Sequence, residues 1–458
     1  MKIIKGGKVV SADAVRELDI GIDDGKIVEI AAHIEPKPGD ELIDAGGDYV
    51  FPGFIDAHTH FDLDTGTAVT ADDFLTGTRA ALVGGTTAVI DFATQDRGMT
   101  LKEALKIWHE KADNQSSCHY AFHMAITDWN DAVKAELRDM VDAGVTSFKL
   151  YMAYDALRVD DDTLLDIARE MKAIEGLVGV HCENGTLVNK MIRDQLDMGH
   201  TEPFAHPLSR PVEVEAEAIS RLLYISELAD WPVCIVHLSS ELGLSEIRKA
   251  RAKGQQVIVE TCPQYLTLTD ELYSLPGFEG AKYVCSPPLR KHQDRRALRE
   301  AMIAGEIDTI ATDHCSFNFN GQKTLGKDAF NKIPNGLPGI EHRPEVFYTE
   351  FVHSGALSPE RMCALLSENP AKQYGMYPQK GAIEIGSDAD IVIWAQGERV
   401  ICAENQLQHV DYTPYEGYIS KGHARMVWLD GEICSMDGKI ISPLRGRYIA
   451  RGRPQIGR

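Results

Sequence analysis

The sequence of 458 residues lacks paired cysteines and long apolar runs. Its nine cysteines are odd in number and include no C-x-x-C pair, which excludes a disulfide framework and a zinc ribbon and predicts free thiols. The longest apolar stretches are far shorter than the roughly 18 residues that cross a bilayer. Charged residues follow the first ten positions at once, unlike a signal peptide, so the predicted location is the cytoplasm.

Basic residues are also scarce, with 47 Lys and Arg against 69 Asp and Glu, which gives a formal net charge of −22. A surface this negative repels nucleic-acid phosphates and anionic lipids, so neither is an expected partner. Apolar residues make up 44% of the chain, enough for a large core and too many for a disordered protein. The length predicts one large domain with additions, or two to three domains.

Both ends of the chain have the pattern of β-structure. Asp24-Gly25 lies between two short alternating runs and predicts a hairpin, while Ala389–Trp394 and Ala424–Leu429 are typical of strands. Such small pieces are marginal alone in water. We therefore expect one small β-sandwich domain, formed by residues 1–51 together with residues 378–458.

Residues 52–377 alternate β-branched runs with helical patterns, as parallel α/β folds do. This pattern predicts a (β/α)8 TIM barrel as the catalytic domain. A doubly wound open sheet is the alternative, but no G-x-G-x-x-G motif follows the first strand. The eight expected strands are Phe54–His58, Thr86–Phe92, Tyr120–Ile126, Ser147–Met152, Leu177–His181, Val233–Leu238, Val257–Thr261 and Asp308–Thr312.

Polar residues stand where five of these strands are expected to end, which is where barrels build their active sites. The H-x-H spacing of the first pair lets both imidazoles point to the same side of an extended segment and reach one ion. The six candidates are His58, His60, Lys149, His181, His237 and Asp313.

Taken singly, each candidate has an ordinary explanation. A histidine at a strand end is often a hydrogen-bonded core residue, Asp313 could cap a helix, and Lys149 could extend to water. Together, four imidazoles and a lysine without a metal would form a costly buried cluster of donors. Their convergence at one mouth of the barrel therefore predicts a metal site.

Lys149 indicates which kind of metal site this is. A protonated ammonium has no acceptor and cannot be a ligand, but burial beside cations favours the neutral amine. That amine could add carbon dioxide to form a carbamate able to bridge two metals. We expect one ion on His58, His60 and Asp313 and a second on His181 and His237. Zinc suits such imidazole-rich sites, although manganese or cobalt can substitute.

At these residues the chain resembles the dihydropyrimidinase and D-hydantoinase family of the amidohydrolase superfamily, over nearly its whole length. A lone H-x-H is weak evidence, whereas the ordered set of motifs is specific. The motifs include Pro52-Gly53-Phe54-Ile55-Asp56-Ala57-His58-Thr59-His60, Gly84-Gly85-Thr86-Thr87, Ser147-Phe148-Lys149-Leu150-Tyr151, His181-Cys182-Glu183-Asn184, Val236-His237-Leu238-Ser239, Glu260-Thr261-Cys262-Pro263-Gln264-Tyr265-Leu266, Ser286-Pro287-Pro288-Leu289-Arg290, Ala311-Thr312-Asp313-His314-Cys315 and Asn335-Gly336-Leu337-Pro338-Gly339.

The resemblance implies a barrel with a β-sandwich, a homotetramer, and two zinc ions bridged by a hydroxide and a carbamylated lysine. It implies hydrolytic ring opening of 5-substituted hydantoins or 5,6-dihydropyrimidines to N-carbamoyl amino acids. Tyr154 would assist the carbonyl oxygen, while Ser286 and Asn335 would hold the cyclic amide largely through backbone groups. Asp313 would move the proton from the water to the leaving nitrogen.

Other members of the superfamily are the alternatives. Dihydroorotases carry an Arg where this chain has Asp62, and allantoinases tend to have Glu-Pro-Gly where it has Asp64-Thr65-Gly66, so an uncharged cyclic ureide is the expected substrate. Single-metal deaminases usually lack the lysine on strand four. A non-catalytic scaffold would have lost metal ligands, and all six are present. Allantoinase or another cyclic amidohydrolase stays the main alternative.

Two further expectations concern the surroundings of the site and the end of the chain. Residues 61–73 and 151–158 are expected to form loops over the exocyclic group of the substrate, with Phe61, Leu63 and Leu157 lining an apolar pocket. The C-terminal arginines are expected either to pair with the acidic surface of a neighbour or to form a solvated basic tail. These are Arg445, Arg447, Arg451 and Arg453.

Overall fold

A computed structural model describes residues 1–456. The chain begins with five strands, continues with eight strands that alternate with helices, and ends with four more strands. In chain order these are β1 (Lys2–Val10), β2 (Val15–Asp23), β3 (Lys26–Ala31), β4 (Glu41–Asp44), β5 (Tyr49–Pro52), β6 (Phe54–Thr59), β7 (Thr86–Thr94), β8 (His119–Ala125), β9 (Ser147–Tyr151), β10 (Leu177–His181), β11 (Val233–Ile235), β12 (Val257–Thr261), β13 (Thr309–Ile310), β14 (Ile391–Val400), β15 (Ile419–Leu429), β16 (Glu432–Met436) and β17 (Lys439–Ile440).

The helices lie between and after the eight middle strands. Short 3-10 helical segments and two π-helical turns supplement them in the second half of the chain. Within residues 1–456, none of the helices combines the length and apolar character that crossing a membrane requires. The α-helices are α1 (Phe74–Val83), α2 (Leu101–Ala112), α3 (Asp131–Ala135), α4 (Leu137–Asp142), α5 (Asp161–Ile174), α6 (Gly185–Asp197), α7 (Ala205–Ser209), α8 (Val212–Ala229), α9 (Glu241–Ala252), α10 (Pro263–Thr267), α11 (His292–Ile303), α12 (Arg343–Phe347), α13 (Pro359–Cys363) and α14 (Asn369–Gln373).

The eight middle strands form a parallel barrel in sequence order, from β6 to β13. Just beyond the ends of the first and last strands, the backbone N–H of His60 donates to the carbonyl oxygen of His314 at 2.8 Å, which nearly closes the ring. The predicted (β/α)8 fold is confirmed. The C-terminal ends of all eight strands therefore converge on one mouth.

Two barrel strands are shorter than expected, and this corrects the placement of two site residues. Strand β11 ends two residues before His237, and β13 ends three residues before Asp313. Both residues have positive φ, 41° and 53°, which turns the chain out of the sheet. The carboxylate of Asp56 accepts the N–H of Thr312 at 3.1 Å in place of a strand neighbour. Lys149, expected at the end of its strand, is the third of five residues in β9.

Strands from both ends of the chain form one nine-stranded sheet. The two ends meet where β5 pairs antiparallel with β14, opposing Val50 to Ile393. Strand β1 pairs with β2, β4 and β5, with a register shift between Ile4 and Gly7. Where a small β-sandwich from both termini was expected, the strands of both termini form one continuous sheet apart from the barrel, because β5 pairs with β14.

Alternate residues of the joining strands serve two different cores. Ile391 and Ile393 pack into the apolar cluster inside the nine-stranded sheet. Their neighbours Val392 and Trp394 pack into the large cluster that includes the barrel helices. A strand that is buried on both faces is apolar at every position, which explains the unbroken run in β14. The sheet is thereby fastened to the barrel by packing.

The C-terminal segment docks beneath the barrel instead of forming a solvated tail. Tyr120 in β8 donates to the carbonyl of Arg447 at 3.1 Å, and Ile449 donates back to Tyr120 at 2.8 Å. Arg451 is buried and donates to the Ser147 hydroxyl at 2.8 Å. Arg447 pairs with Asp430 of the same chain at 3.2 Å. The expected solvated tail is therefore wrong for these two arginines, and pairing of the segment with a neighbour stays a prediction.

We predict that Trp394→Ala lowers the free energy of unfolding by about 3–5 kcal/mol, because it empties a site between sheet and barrel. The indole is fully buried, with ring centroids 5.8 Å from Phe54 and 5.3 Å from Tyr348. Chemical denaturation followed by circular dichroism measures the change. The control is Val400→Ala on the same strand, at a residue that is 60% exposed, with an expected change within about 0.5 kcal/mol. Equal losses in both variants would contradict the prediction.

Candidate metal centre

Three of the predicted ligands meet at the mouth of the barrel. The Asp313 carboxylate oxygen lies 3.1 Å from Nε2 of His58 and 3.2 Å from Nε2 of His60. His58 is the fifth of the six residues in strand β6. His60 follows it by two residues, so both rings point the same way. Their ligand atoms all lie within 4.8 Å of one another, close enough to hold one ion.

The other two histidines meet beside them. Nδ1 of His181, the last residue of β10, lies 3.0 Å from Nε2 of His237. The ring centroids of His58 and His237 are 5.5 Å apart, so the two groups adjoin. The structure thus brings all four predicted histidines into one cluster.

The hydrogen bonds around the cluster leave lone pairs pointing to its centre. Nδ1 of His58 donates to the Glu260 carboxylate at 2.7 Å, which leaves the lone pair of Nε2 facing Asp313. Nε2 of His181 donates to Glu183 at 2.8 Å, which leaves the lone pair of Nδ1 facing His237. In these tautomers Nε2 of His58 and Nδ1 of His181 are both free to coordinate an ion. The donor set therefore fits metal ions.

Lys149 lies inside this cluster. Its side chain is 1% exposed, and its Nζ lies 3.5 Å from Nε2 of His58. The rings of Phe92 and Tyr151 flank the amine, with centroids 4.9 and 5.3 Å from Nζ. Burial lowers the pKa of Lys149 from its usual value, against the opposing effect of Asp313. The surroundings favour the neutral amine that carbamate formation requires.

The electrostatics of most of the cluster suit metal ligands, with His58 as the exception: burial lowers its pKa, but Glu260 and Asp313 raise it above its usual value. Burial lowers the pKa of His60 to about 4 and the pKa of His237 well below its usual value, so both imidazoles stay neutral at pH 7. Burial alone would raise the pKa of Asp313, but His58 and His60 hold it well below its usual value. Neutral imidazoles and an ionised carboxylate are the protonation states that metal binding needs.

Glu260 is a functional residue that the sequence analysis missed. It ends an otherwise apolar run in β12 and is fully buried. One of its oxygens accepts from Nδ1 of His58 at 2.7 Å and from the backbone N–H of His237 at 3.3 Å. It therefore connects the two histidine groups and fixes the His58 tautomer. The sequence feature that could have predicted this role is an acidic residue near the end of a buried strand.

Glu183 plays the matching part for the second histidine group. It stands two residues after His181. Its carboxylate accepts a hydrogen bond from the ring of His181 and another from Nη1 of Arg210 at 2.6 Å. Burial would raise the pKa of Glu183, yet Arg210 and His181 bring it down to about 2. Glu183 is thus a charged acceptor that orients His181. The sequence feature that could have predicted this role is its place two residues after a candidate ligand.

Tyr154 lies against the metal cluster, with its ring centroid 5.2 Å from that of His181. Its φ is 68°, a left-handed conformation that is unusual for an aromatic residue and typical of functional sites. Burial raises the pKa of Tyr154 to about 12, against the opposing effect of Arg210. Its hydroxyl group therefore stays protonated at neutral pH and can donate a hydrogen bond. Ser286 lies beside this ring.

Ser286 and Asn335 stand on two segments that run side by side, joined by the N–H of Gly336, which donates to Val284 O at 3.0 Å. No hydrogen bond within residues 1–456 engages the backbone N–H or C=O of Ser286 or Asn335. The neighbouring carbonyl of Cys285 accepts from the ring of His206 at 2.8 Å. Polar backbone groups that are left open between fixed neighbours are suited to bind a ligand amide.

Two expectations about the loops need correction. Phe61 is fully buried and packs on Phe74, with ring centroids 5.5 Å apart, so it belongs to the core and not to a pocket. Asp62 lies beside Lys111, whose Nζ is 2.6 Å from its carbonyl oxygen and 3.7 Å from its carboxylate. Its charge is therefore partnered and is a weak argument about the substrate. The pocket role of Leu63 stays a prediction.

A second cluster of ligand-type atoms lies at the opposite end of the barrel. His119, the first residue of β8, is 3.3 Å from Asp430 and 3.7 Å from Asp390. Buried Lys380 already pairs with Asp390 at 2.5 Å and with Asp388 at 2.8 Å. The carboxylates have their cations from the chain itself, so this cluster is an ionic link between the sheet and the barrel.

Comparison with known proteins agrees with this architecture. The amidohydrolase family model matches residues 49–434. The chain is 42% identical to a D-hydantoinase of Geobacillus stearothermophilus, covering 99% of this chain and 97% of that protein. It is 40% identical to a D-hydantoinase of Rhizobium radiobacter, covering 98% of each.

Solved structures give the same result. A crystal structure of dihydropyrimidinase from Brevibacillus agri matches with a TM-score of 0.97 at 41% identity, covering 99% of each chain. An L-hydantoinase from Arthrobacter aurescens matches with a TM-score of 0.90 at 30% identity, covering 98% of this chain and 99% of that one. On these grounds the chain belongs to the hydantoinase and dihydropyrimidinase group of the metal-dependent amidohydrolase family.

Proposed function

We propose that this protein opens cyclic amides by hydrolysis, converting 5-substituted hydantoins or 5,6-dihydropyrimidines to N-carbamoyl amino acids. The observation that carries the proposal is the convergence of four histidines and Asp313 around a buried lysine amine. The full-length similarity to hydantoinases and a dihydropyrimidinase supports the same reaction.

In this proposal two divalent ions, zinc by preference, are held at the barrel mouth. His58, His60 and Asp313 would hold one ion, His181 and His237 the other, and carbamylated Lys149 would bridge them. Bound ions of this kind supply a water of lowered pKa as nucleophile and polarise the carbonyl under attack. The lone pairs that face the cluster centre support this assignment.

Asp313 is the proton carrier of the reaction. It takes the proton of the attacking water as general base and delivers it to the ring nitrogen as the amide bond breaks. Its low pKa keeps it ionised and ready to accept the proton at neutral pH, because His58 and His60 oppose the effect of burial. Its left-handed backbone aims the carboxylate across the mouth of the barrel.

The substrate is oriented by groups on the other side of the mouth. The Tyr154 hydroxyl donates to the carbonyl oxygen, whose charge grows as the ring opens. The open backbone N–H and C=O groups of Ser286 and Asn335 pair with the ring amide and hold it in register. These contacts recognise a neutral cyclic ureide without needing a charge on it.

We also propose a cytoplasmic homotetramer with no nucleic-acid or membrane partner. The net charge of −22 supports the absence of a nucleic-acid partner. An exposed apolar face on α8 and α9 supports assembly, since Tyr224 is 59% and Leu228 70% exposed. Sedimentation of the purified protein tests the assembly.

We predict that hydantoins or dihydropyrimidines are the best substrates in a side-by-side panel. Purified protein with added zinc and bicarbonate is assayed on phenylhydantoin, dihydrouracil, allantoin and dihydroorotate, and kcat/KM is compared. The open backbone groups match the neutral ring amide of the first three compounds, and the similarity to hydantoinases and a dihydropyrimidinase favours the first two, so the highest value is expected for one of these. Fastest turnover of allantoin or dihydroorotate would overturn the substrate assignment.

We predict that Lys149→Ala loses most of its metal and lowers kcat/KM by about 10³-fold or more, because the bridging ligand is gone. Metal analysis should give about two zinc ions per wild-type chain and fewer in the variant. The matched control is Lys106→Ala, at a side chain that is 77% exposed, which should keep both metal and activity. A Lys149→Ala protein with full metal content would contradict the assignment.

We predict that Glu260→Gln weakens metal binding by about 10- to 100-fold, because the neutral amide no longer fixes the His58 tautomer. Titration with a competing chelator measures the affinity. Glu306→Gln is the control, since Glu306 pairs with Arg248 at 2.7 Å near the opposite end of the barrel and should leave the affinity unchanged. Equal affinities in wild type and Glu260→Gln would refute the role of Glu260.

A further inference from the structure

Lys323 is a fully buried lysine that the proposed reaction does not use. It begins a short 3-10 segment, Lys323–Gly326, in the long connection that follows β13. Its Nζ donates three hydrogen bonds, all to backbone carbonyl oxygens: Val284 at 2.8 Å, Pro334 at 2.7 Å and Gly336 at 2.7 Å.

The number of acceptors matches the charged form of the side chain. An ammonium group has three donors and no acceptor, and here each donor has one carbonyl oxygen. None of the ion pairs among residues 1–456 joins Lys323 to a carboxylate, so the buried charge is offset by carbonyl dipoles and by the ring of Phe317, whose centroid is 5.7 Å from Nζ. Burial lowers the pKa of Lys323 to about 7. A cation in such a place costs more than an apolar residue would, which points to a role beyond packing.

The three carbonyls bracket the two residues with open backbone groups. Val284 stands two residues before Ser286, while Pro334 and Gly336 stand on either side of Asn335. A single side chain therefore ties both substrate-facing segments to one point. With either segment free to shift by about 1 Å, the paired amide contacts would be lost.

We propose that Lys323 is a positioning residue for substrate binding, which acts by fixing the Ser286 and Asn335 segments so that their open backbone groups face the cyclic amide. This rests on the proposed function. Neither Lys323 nor its three acceptors contacts the histidine cluster in any hydrogen bond within the described residues. The expected effect therefore falls on substrate affinity and not on the metals.

The test compares Lys323→Met with wild type by steady-state kinetics on the best substrate, metal analysis and thermal unfolding. Methionine keeps a long side chain but removes all three donors. The expected result is a KM raised at least about 10-fold, with kcat within about 3-fold and metal content unchanged.

The matched control is Arg251→Met. Arg251 also donates to backbone carbonyls, Val257 O at 2.6 Å and Glu306 O at 2.6 Å, but these lie at the start of β12 and before β13, opposite the site. Its loss should lower thermal stability and leave KM unchanged. The comparison separates a lost anchor near the substrate from a lost cation–carbonyl contact elsewhere.

If Lys323→Met does not fold, Lys323→Gln is used in its place, because it keeps two donors. Its KM should be raised above that of wild type, by less than the 10-fold or so that is expected for loss of all three donors. A normal KM in a folded variant would overturn the role of Lys323 alone. Failure of both variants to fold, with Arg251→Met folded, would assign Lys323 a purely structural role and also overturn it. A wild-type protein that opens none of the four rings would overturn the proposed function, and this inference with it.

Discussion

The whole arrangement depends on lone pairs that converge in a buried space. His58 donates a hydrogen bond to the buried carboxylate of Glu260, and His181 donates one to that of Glu183. The other ring nitrogen of each histidine therefore faces the centre as an acceptor. These nitrogens are free to coordinate an ion, and burial keeps away the water that would compete for them. A metal ion bound there would offset the buried carboxylate charges as well as supply the chemistry.

The rigid scaffold lets this cluster keep its geometry. The predicted ligands stand on, or just beyond, the strands of a nearly closed parallel ring, and the nine-stranded sheet holds this ring from outside through apolar packing at Trp394. Where the chain leaves the strands, Tyr154, His237 and Asp313 adopt left-handed backbone conformations. Such conformations cost about 1–3 kcal/mol each and persist only where the surroundings enforce them. These three are among the twelve non-glycine residues with positive φ in the described part of the chain.

The predictability of the molecule follows the range of the interactions involved. Strand periodicity, a local pattern, was enough to predict the barrel. The H-x-H spacing and the places of the other two histidines after expected strands were enough to predict the histidine cluster, because a barrel brings its strand ends to one mouth. The ends of β11 and β13 were misplaced since positive φ at His237 and Asp313 leaves no trace in composition. Glu260 was overlooked because its partner His58 lies 202 residues away in the sequence, and Arg451 because its acceptor Ser147 lies 304 residues away.

The two halves of the site are built by different means, and this has a consequence for specificity. The proposed metal ligands are side chains on the strands or just beyond their ends, and buried carboxylates orient two of them. The proposed substrate contacts are open backbone groups on long connections, where Lys323 and His206 donate to neighbouring carbonyl groups. Backbone groups of this kind would recognise the amide common to all cyclic ureides, and the side chains around them would select among the substituents. On this division of labour, a change of substrate preference would not need a change of metal ligands.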